Sequence, residues 1–510
     1  MMKKRAVFPW IWVLGVVVAS FLILWPLFHG GFYVSDDGEW MVIRLSAFYQ
    51  SLVSGQFPVR FLGRLNNSYG YPVANFLYPG FLYFGSFVHL LTGFSFPDSV
   101  KFILGLSVAG SAIFILFALR RRFSQLASFM GSVSFLYAPY LAYDLYHRGS
   151  VGEVLALLPA SALMFAVSTG AYWLIPPGVA LLIVAHNTTA LLFGASFVAI
   201  LFSQPRPFRY AAHMLLGAGV AAFFWAPALF ESSLVRFDSV TVSDPAQYFV
   251  SLQQAILLGI PTILSVALVL SLRNKRRAFD SILIVLIGIS YVMATPISAF
   301  LWKLPILVKI VQFPYRFLTI PVILGPWVIA RAMEGFTSWK RNLLLVAFVV
   351  LWIVPVVLQE QSIAFVNRPL GYYTTNEGTT TVANEYMPRW VSEIPKQRSL
   401  AMVDVVSGDV NLPTRTFQQE TLNAAVEVKE AGIVQINKIY YPGWGVTIDG
   451  IRVPIDYQNS FGLMRISVPP GIHEIHASFR ETPERFIADV VSVVSAICYL
   501  VFIRRLTKSA

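Results

Sequence analysis

Residues 99–122 read SVKFILGLSVAGSAIFILFALRRR, a long apolar run that ends in three consecutive arginines. A helix of about 20 apolar residues crosses the hydrocarbon core of a bilayer, which is about 30 Å thick. Lys and Arg are enriched in cytoplasmic loops, so Arg120–Arg122 predict that this end lies in the cytoplasm. The stretch therefore predicts both a membrane span and its orientation.

The composition of the whole chain agrees with this stretch. Of its 510 residues, 56% are hydrophobic and only 13% are charged, against about 25% charged in soluble domains. The net charge is +12, but residues 361–485 hold 11 basic and 13 acidic side chains, so the positive excess belongs to the apolar part. A nucleic-acid partner is therefore not expected. Cys498 is the one cysteine, which excludes an internal disulfide and a Cys-rich metal site.

Apolar runs recur along the chain and predict a polytopic α-helical membrane protein with about twelve spans. Placing every basic cluster between the runs in the cytoplasm puts both termini there as well. The predicted spans are 6–28, 99–119, 123–142, 153–169, 171–185, 188–203, 209–230, 250–272, 279–295, 317–333, 341–359 and 486–503.

The apolar segment 74–93 conflicts with this topology if it crosses the bilayer, because Arg120–Arg122 would then lie outside. We predict instead a re-entrant or interfacial element, with Pro79 and Gly80 in irregular backbone packed against protein. The alternative is a thirteenth span with one loop that violates the charge rule.

Three regions follow from these patterns. Residues 1–360 form the transmembrane domain, with a first outer loop at 29–98. Residues 361–485 alternate short β-rich pieces with turn signals such as Asp449-Gly450 and predict an extracytoplasmic β-sandwich. Residues 486–510 form the last transmembrane helix and a cytoplasmic tail.

The first outer loop carries the densest group of polar residues, Ser35-Asp36-Asp37-Gly38-Glu39. A carboxylate placed here can accept a proton from an acceptor hydroxyl, and Asp36 with Asp37 can bind Mg²⁺ or Mn²⁺. The alternative is a solvated helix start that complements the helix dipole. The amphipathic run Trp40–Gln50 predicts a helix lying on the bilayer surface.

Further candidates lie on the same predicted outer side. Glu153 opens an apolar run and needs a partner at membrane depth, for which Arg148 is the candidate. Guanidinium and ammonium groups there also suit the phosphate of a lipid, while the alternatives are structural salt bridges and snorkelling anchors. His186 is either an acid, base or ligand, or a hydrogen-bonded structural residue. The candidate substrate-binding residues are Arg44, His147, Arg148, His186, Asn187, Lys309, Arg316 and Glu385.

Several motifs taken together resemble a bacterial membrane family labelled 6-pyruvoyl-tetrahydropterin synthase-related, which is related to the YfhO-type proteins. The label implies no pterin chemistry. The motifs include Asp37 with Arg44, Tyr69-Gly-Tyr-Pro72, His147-Arg148-Gly149 with Glu153, His186-Asn187, Gln312–Arg316, Asn384–Pro388 and Tyr441-Pro-Gly-Trp444. Such proteins resemble the GT-C superfamily of polyprenyl-phosphate-sugar-dependent glycosyltransferases.

The resemblance implies a bacterial plasma-membrane protein with an acidic general base or metal ligand in its first outer loop, and Asp37 matches that position. The family often has His four residues after this Asp, where this chain has Met41. The resulting hypothesis is a glycosyltransferase of the outer face that moves a sugar from a lipid-linked donor to an envelope glycan, lipid or protein. Asp37, Asp36 and Glu153 are the candidate catalytic residues. The alternatives are a lipid-linked saccharide transporter and a non-catalytic scaffold for envelope assembly.

Overall fold

The computed structural model describes residues 10–238, 244–272, 277–335, 338–381, 383–418 and 420–508. Helices dominate up to residue 375 and strands dominate from residue 403 to residue 479. The helices are α1 Ile11–Ile23, α2 Gly38–Val53, α3 Gly80–Thr92, α4 Phe96–Leu119, α5 Gln125–Leu136, α6 Pro139–Ala142, α7 Val151–Thr169, α8 Ile175–Ala185, α9 Asn187–Leu201, α10 Pro207–Val220, α11 Ala222–Phe230, α12 Leu252–Ser271, α13 Ala278–Ala294, α14 Pro305–Ile310, α15 Thr319–Gly335, α16 Ser338–Phe348, α17 Val354–Glu360, α18 Leu370–Thr375 and α19 Pro483–Lys508.

Within the described residues, six helical stretches are long and apolar enough to cross a membrane, and the pair α10 and α11 makes a seventh if it counts as one span. Five shorter apolar helices of 10–17 residues accompany them. The chain is thus a membrane protein by helix length and composition, while the total of about twelve spans stays a prediction.

The predicted span 209–230 is not one straight helix, because α10 and α11 meet at an angle of 72°. The Phe223 N–H, whose helical partner would be the Gly219 carbonyl, instead donates to Ser492 Oγ of α19 at 2.7 Å. A side chain inserted into the backbone ladder is a known cause of helix kinks. Gly217, Gly219 and Pro227 within 209–230 also weaken a straight helix, whereas the serine that bonds at the bend comes from far along the chain.

The predicted span 123–142 is also interrupted, between α5 and α6. Ala138 has an extended backbone immediately before Pro139. Proline disfavours helical backbone at the residue before it and has no N–H to donate.

Segment 74–93 contributes α3, whose 13 residues extend about 20 Å at about 1.5 Å per residue. The irregular backbone before it, residues 71–79, is buried in protein. Both features agree with an interfacial or re-entrant element, which remains the prediction for this segment.

The strands form two main sheets. One has the strand order β4-β5-β10-β7-β8 and the other the order β3-β6-β9, all antiparallel. Their buried side chains, such as Val426 and Ile475 from one sheet and Val434 and Ile466 from the other, form one apolar cluster, as expected for a β-sandwich. The strands are β1 Phe32–Tyr33, β2 Phe365–Val366, β3 Val403–Ser407, β4 Val410–Gln418, β5 Thr421–Val428, β6 Gly432–Ile439, β7 Trp444–Ile448, β8 Ile451–Val453, β9 Leu463–Val468 and β10 Gly471–Phe479.

The β-domain, which strands β3 to β10 form, is hydrogen-bonded to the first outer loop through buried polar groups. Lys438 of β6 donates from Nζ to the carbonyls of Gly63 and Ser68 at 2.8 and 2.6 Å. The Glu420 carboxylate accepts from the hydroxyls of Ser51 and Ser54 at the end of α2. The domain therefore holds the helix whose first turn follows Asp37.

A second fastening joins the same loop to the start of α19. The Glu231 carboxylate accepts from Arg485 Nε at 2.7 Å, from the Tyr441 hydroxyl at 2.7 Å and from Asn75 Nδ2 at 2.9 Å. These four residues belong to α19, the β-domain, the first loop and the end of α11, so the network fixes all four regions relative to one another.

Burial lowers the pKa of Lys438 to about 7, against the opposing influence of Glu420 and Glu377. Between pH 7 and the ordinary pKa of lysine, the unfolded chain keeps the Lys438 proton more fully than the folded chain does. The free energy of unfolding therefore rises with pH, by at most about 1.4 kcal/mol per pH unit. We expect Lys438→Met to lose this rise. The measurement is the thermal unfolding midpoint of each protein at pH 7 and at pH 10, and the change in midpoint between the two pH values is compared with that of wild type. Lys429→Met, at an exposed lysine paired with Asp409, should keep the wild-type slope. Equal slopes for all three proteins would contradict the assignment.

Candidate active site

The site begins where the first loop lies against the loop that precedes α7. Asp36 and Asp37 donate their backbone N–H groups to the carbonyls of His147 and Arg148 at 3.0 and 2.9 Å. Gly149 permits this approach, since it has a φ of +65° and a Cβ there would lie 2.8 Å from the Gly38 nitrogen. A backbone contact thus brings the predicted acidic loop beside the His147-Arg148-Gly149 motif.

The two aspartates differ in their surroundings. Asp36 is exposed and its carboxylate lies 3.5 Å from His147 Nδ1. Asp37 is half-buried directly before α2 and makes no side-chain cap hydrogen bond. Among the described residues its carboxylate has no hydrogen-bond or ion-pair partner. A carboxylate held by its backbone but free at its oxygens suits a general base.

Glu153 is the centre of a buried ionic network at the start of α7. Its Oε2 accepts from Arg148 Nη1 at 2.7 Å, and its Oε1 accepts from Arg316 Nε at 2.7 Å. Arg148 Nη1 also lies 2.5 Å from Asp144 Oδ1, and the Tyr140 hydroxyl donates to Glu153 Oε2 at 3.2 Å. Glu153 is 1% exposed. The network confirms the expected partnership of Glu153 with Arg148 and adds Arg316 to it.

The two arginines of this network still have N–H groups available for further hydrogen bonds. Its two arginines are balanced by two carboxylates, yet the Nη2 groups of Arg148 and Arg316 donate to no group in the described parts of the chain. Aromatic rings flank both guanidinium groups, with Tyr315 5.1 Å from Arg148 and Phe313 4.8 Å from Arg316. The pair can therefore still donate hydrogen bonds to an anionic oxygen.

His186 takes part in local structure. It is the residue before α9, and its Nδ1 accepts from the backbone N–H of Thr189 at 3.3 Å, which places the imidazole proton of the neutral ring on Nε2. Nε2 lies 3.7 Å from Glu153 Oε1. Asn187 donates from Nδ2 to the Phe76 carbonyl at 3.4 Å. Both residues hold the loops around Glu153, and their substrate-binding roles stay a prediction.

Arg44 is buried in α2, and its guanidinium contacts a distant part of the chain. Nε donates to Thr380 Oγ1 at 3.1 Å, and Nη2 donates to the Thr380 carbonyl. Nη1 contacts Met41 Sδ at 3.3 Å, so Met41 packs against this arginine. Arg44 thus joins helix α2 to the segment that follows α18.

The other two predicted binding residues lie apart from the ionic network. Lys309 is exposed on α14. Glu385 is half-buried, and its Oε2 is a buried atom with no hydrogen-bond partner among the described residues. In the same described ranges, no group of three or more His, Cys, Asp or Glu side chains is arranged to hold a metal ion.

Tyrosines are the site residues that the sequence analysis missed. Burial raises the pKa of Tyr78, and the charges that also act on it are those of Arg44, Asp37, Arg316 and Glu153. The Tyr78 ring packs against the imidazole of His186, with 4.7 Å between the ring centroids. The tyrosines spaced three apart along 137–146 were the available signal. They do not share one helical face, because Tyr137 and Tyr146 donate to carbonyls of α1 whereas Tyr140 donates to Glu153.

A cavity of about 390 Å³ adjoins the network. Tyr140, Tyr143 and Tyr315 line its polar end, and Leu258, Val322 and Trp352 line its apolar part. A second, apolar cavity of about 300 Å³ lies between α12 and α13 and shares Thr262 and Tyr291 with the first. The two cavities therefore adjoin each other, and the first reaches Tyr140 and Tyr315, which contact Glu153 and Arg148 of the network.

These features define a membrane protein with an unpaired loop carboxylate beside buried arginines. No protein-family model matches the sequence, and no curated protein matches it. The resemblance to the YfhO-type and pterin-synthase-related proteins therefore stays a prediction.

Solved structures of two glycosyltransferases are similar to the chain. Arabinofuranosyltransferase AftD from Mycobacteria has 15% identity over 69% of this chain and 27% of its own, with a TM-score of 0.47. The Archaeoglobus fulgidus oligosaccharyltransferase in its apo form has 10% identity over 72% and 57%, with a TM-score of 0.47. The same archaeal enzyme, AglB, with an inhibitory peptide and a dolichol-phosphate has 12% identity over 71% and 57%, with a TM-score of 0.45. The chain spans about a quarter of the first structure and somewhat more than half of the second.

The contact at Gly149 is testable. In Gly149→Ala the new methyl group would collide with the Gly38 nitrogen, so we expect Asp37 to be displaced and the unfolding midpoint to fall. Gly170→Ala is the matched control, because Gly170 also ends a helix segment with positive φ (+72°) but has nothing within 4 Å of a Cβ. The control should show only the backbone cost of about 1 kcal/mol. Equal losses of stability in the two variants would show that the close approach has no effect.

Proposed function

We propose that the chain is a glycosyltransferase that moves a hexosyl or pentosyl group from a polyprenyl-phosphate-linked donor to a cell-envelope acceptor at the outer face of the plasma membrane. The observation that carries the proposal is the unpartnered Asp37 carboxylate, held by backbone hydrogen bonds beside the arginines of the Glu153 network. A base and an anion-binding pair side by side are what displacement of a sugar from a phosphate requires.

The reaction is a single displacement at the anomeric carbon. The Asp37 carboxylate accepts the proton of the acceptor hydroxyl as its oxygen forms a bond to that carbon. The bond from the anomeric carbon to the phosphate oxygen breaks, and its electron pair leaves with polyprenyl phosphate. The free Nη2 donors of Arg148 and Arg316 stabilise the negative charge on that phosphate, and Glu153 holds the two guanidinium groups in place. The configuration of the sugar inverts.

The cavities accommodate the lipid part of the donor. The apolar space between α12 and α13 and the adjoining cavity take the part of the polyprenyl chain nearest the phosphate, with Tyr140 and Tyr315 at the junction with the arginines. Burial of a chain there is favourable because its surface leaves water. Exposed Lys309 adds positive charge for the lipid phosphate.

Asp36 and Asp37 form the proposed ligand pair if the reaction needs Mg²⁺ or Mn²⁺. Carboxylate oxygens suit both ions. Such an ion would neutralise charge on the donor phosphate. Chelation with EDTA followed by addition of each ion measures this dependence directly.

Two observations favour a second function, in which the protein holds a lipid-linked saccharide as a scaffold without transferring it. Arg148 and Arg316 are already neutralised by Glu153 and Asp144, which weakens their stabilisation of a departing phosphate. Met41 in place of a family histidine favours the same interpretation.

Asp37→Asn distinguishes the two functions. We expect wild-type protein in lipid, given a panel of polyprenyl-phosphate sugars and crude envelope acceptor, to release polyprenyl phosphate. Asp37→Asn should lower this release by at least about 100-fold, because general-base catalysis contributes about 10²–10⁴ in rate. Asp36→Asn is the neighbouring comparison: a loss confined to Asp37→Asn assigns the base to Asp37 alone, whereas a loss in both variants that depends on added Mg²⁺ or Mn²⁺ assigns the pair to the metal. Near-wild-type release by Asp37→Asn would refute the assignment, and saturable donor binding without release by wild type would favour the scaffold.

A further inference from the structure

The cavity beside the Glu153 network has an uncharged lining. None of the described residues that line it is Asp, Glu, Lys, Arg or His, so the arginines lie behind its tyrosines and not in its wall. Its volume of about 390 Å³ is that of pockets which hold small organic molecules, about 300–1,000 Å³. The cavity therefore has room for a ligand, and the part of the ligand that it holds is neutral.

Three tyrosines from separate parts of the chain form its polar end. Tyr143 follows α6, Tyr248 precedes α12 and Tyr315 follows α14. The rings of Tyr143 and Tyr248 stand nearly perpendicular to that of Tyr315, at angles of 77° and 70° and centroid distances of 6.0 and 6.3 Å. Aromatic rings stabilise one another in this edge-to-face arrangement. The corner that they form is thus held before a ligand arrives.

The hydroxyl groups of these three tyrosines are open and unpaired. None of them has a hydrogen-bond partner in the described ranges, and none is closed off from water as the hydroxyl of Tyr33 is. Gln247 also lines the cavity, and its exposed amide makes no hydrogen bond with the described residues either. The polar end therefore offers accessible groups that both donate and accept hydrogen bonds.

Side-chain contacts connect this end of the cavity to the first loop and to the arginines. The Tyr143 ring stacks on the His147 imidazole with 4.9 Å between centroids, and His147 Nδ1 lies 3.5 Å from the Asp36 carboxylate. On the other side, the Arg148 guanidinium lies 5.1 Å from the centre of the Tyr315 ring. The polar end thus adjoins both the acidic loop and the group assigned to the phosphate.

The chemistry of the lining selects the ligand. A sugar ring is uncharged, its hydroxyl groups donate and accept hydrogen bonds, and its C–H groups pack on aromatic rings. A prenyl chain would cover the tyrosine hydroxyls and the Gln247 amide without replacing their hydrogen bonds to water, which is costly. The apolar part of the cavity, at Leu258, Val322 and Trp352, suits that chain instead.

We infer that Tyr143, Tyr248 and Tyr315, together with Gln247, form a subsite for the hydroxyl groups of a sugar. The inference rests on the proposed function and deepens it, because it divides the cavity: the apolar part takes the prenyl chain and the tyrosine end takes the sugar. The sugar is that of the lipid-linked donor or that of a glycan acceptor, and the experiment separates the two.

The test measures equilibrium binding to the full chain in nanodiscs. The probes are bare polyprenyl phosphate and polyprenyl phosphate carrying glucose, mannose or arabinofuranose. Tyr143→Phe and Tyr248→Phe remove only the open hydroxyls and keep the rings. We expect each to weaken binding of the preferred sugar-bearing lipid by about fivefold, and the double variant by at least about tenfold. Binding of bare polyprenyl phosphate should stay unchanged.

Tyr49→Phe is the matched control. Tyr49 of α2 is also half-buried, its hydroxyl has no hydrogen-bond partner among the described residues, and it lines neither of the two cavities. This variant should bind every probe like wild type. None of the variants should lower the unfolding midpoint, because the hydroxyls that they remove contact no protein group, whereas a structural role would lower it.

The acceptor source gives a different result. Unchanged donor binding in the Tyr143 and Tyr248 variants, together with a KM for the envelope acceptor raised by a similar factor, would assign the subsite to the acceptor sugar.

Three results would overturn the inference. Equal weakening of bare and sugar-bearing lipid would make the tyrosines contacts of the membrane interface. Unchanged donor binding without a raised acceptor KM would leave them no part in sugar recognition. The same loss of binding in Tyr49→Phe would show that the effect is not confined to the cavity. Failure of the proposed function is separate, since it appears as no release of polyprenyl phosphate by wild type, on which the comparison of donor binding does not depend.

Discussion

The buried Glu153 carboxylate is the interaction on which the site depends. It joins residues from four separated parts of the chain, since Arg148 precedes α7, Tyr140 lies on α6, Arg316 follows α14 and His186 precedes α9. A charge in a low-dielectric surrounding is costly unless it is paired and hydrogen-bonded. The cost of leaving any member unpaired therefore holds these elements in one arrangement. The cavity opens beside that arrangement, with Tyr140 and Tyr315 at its polar end.

The first loop is positioned from two sides. The backbone hydrogen bonds at Asp36 and Asp37 attach its start to the loop that carries Arg148. The β-domain holds its later part through Lys438 and Glu420. Strand β1, at the start of the loop, pairs with β2 where the chain leaves the helices. The β-domain is consequently part of the structure that places Asp37.

Charge balance governs the chemistry of the Glu153 network. Its arginines and carboxylates neutralise one another and still leave hydrogen-bond donors on the two guanidinium groups. Asp37 is attached to this network through its backbone, since its N–H donates to the Arg148 carbonyl. Its carboxylate has no hydrogen-bond or ion-pair partner among the described residues.

Part of this structure could be predicted from the amino-acid sequence. Hydrophobic run lengths predicted the long helices, and turn signals predicted the β-rich region after residue 361, because both depend on local pattern and burial. Glu153 at the start of an apolar run indicated a partner and identified Arg148. The sequence did not reveal that Ser492 bonds at the bend near Phe223, that Arg316 pairs with Glu153 or that Arg44 holds Thr380. Each of these depends on contacts between residues far apart in the chain, and only the packing of helices, loops and β-domain decides which distant groups meet.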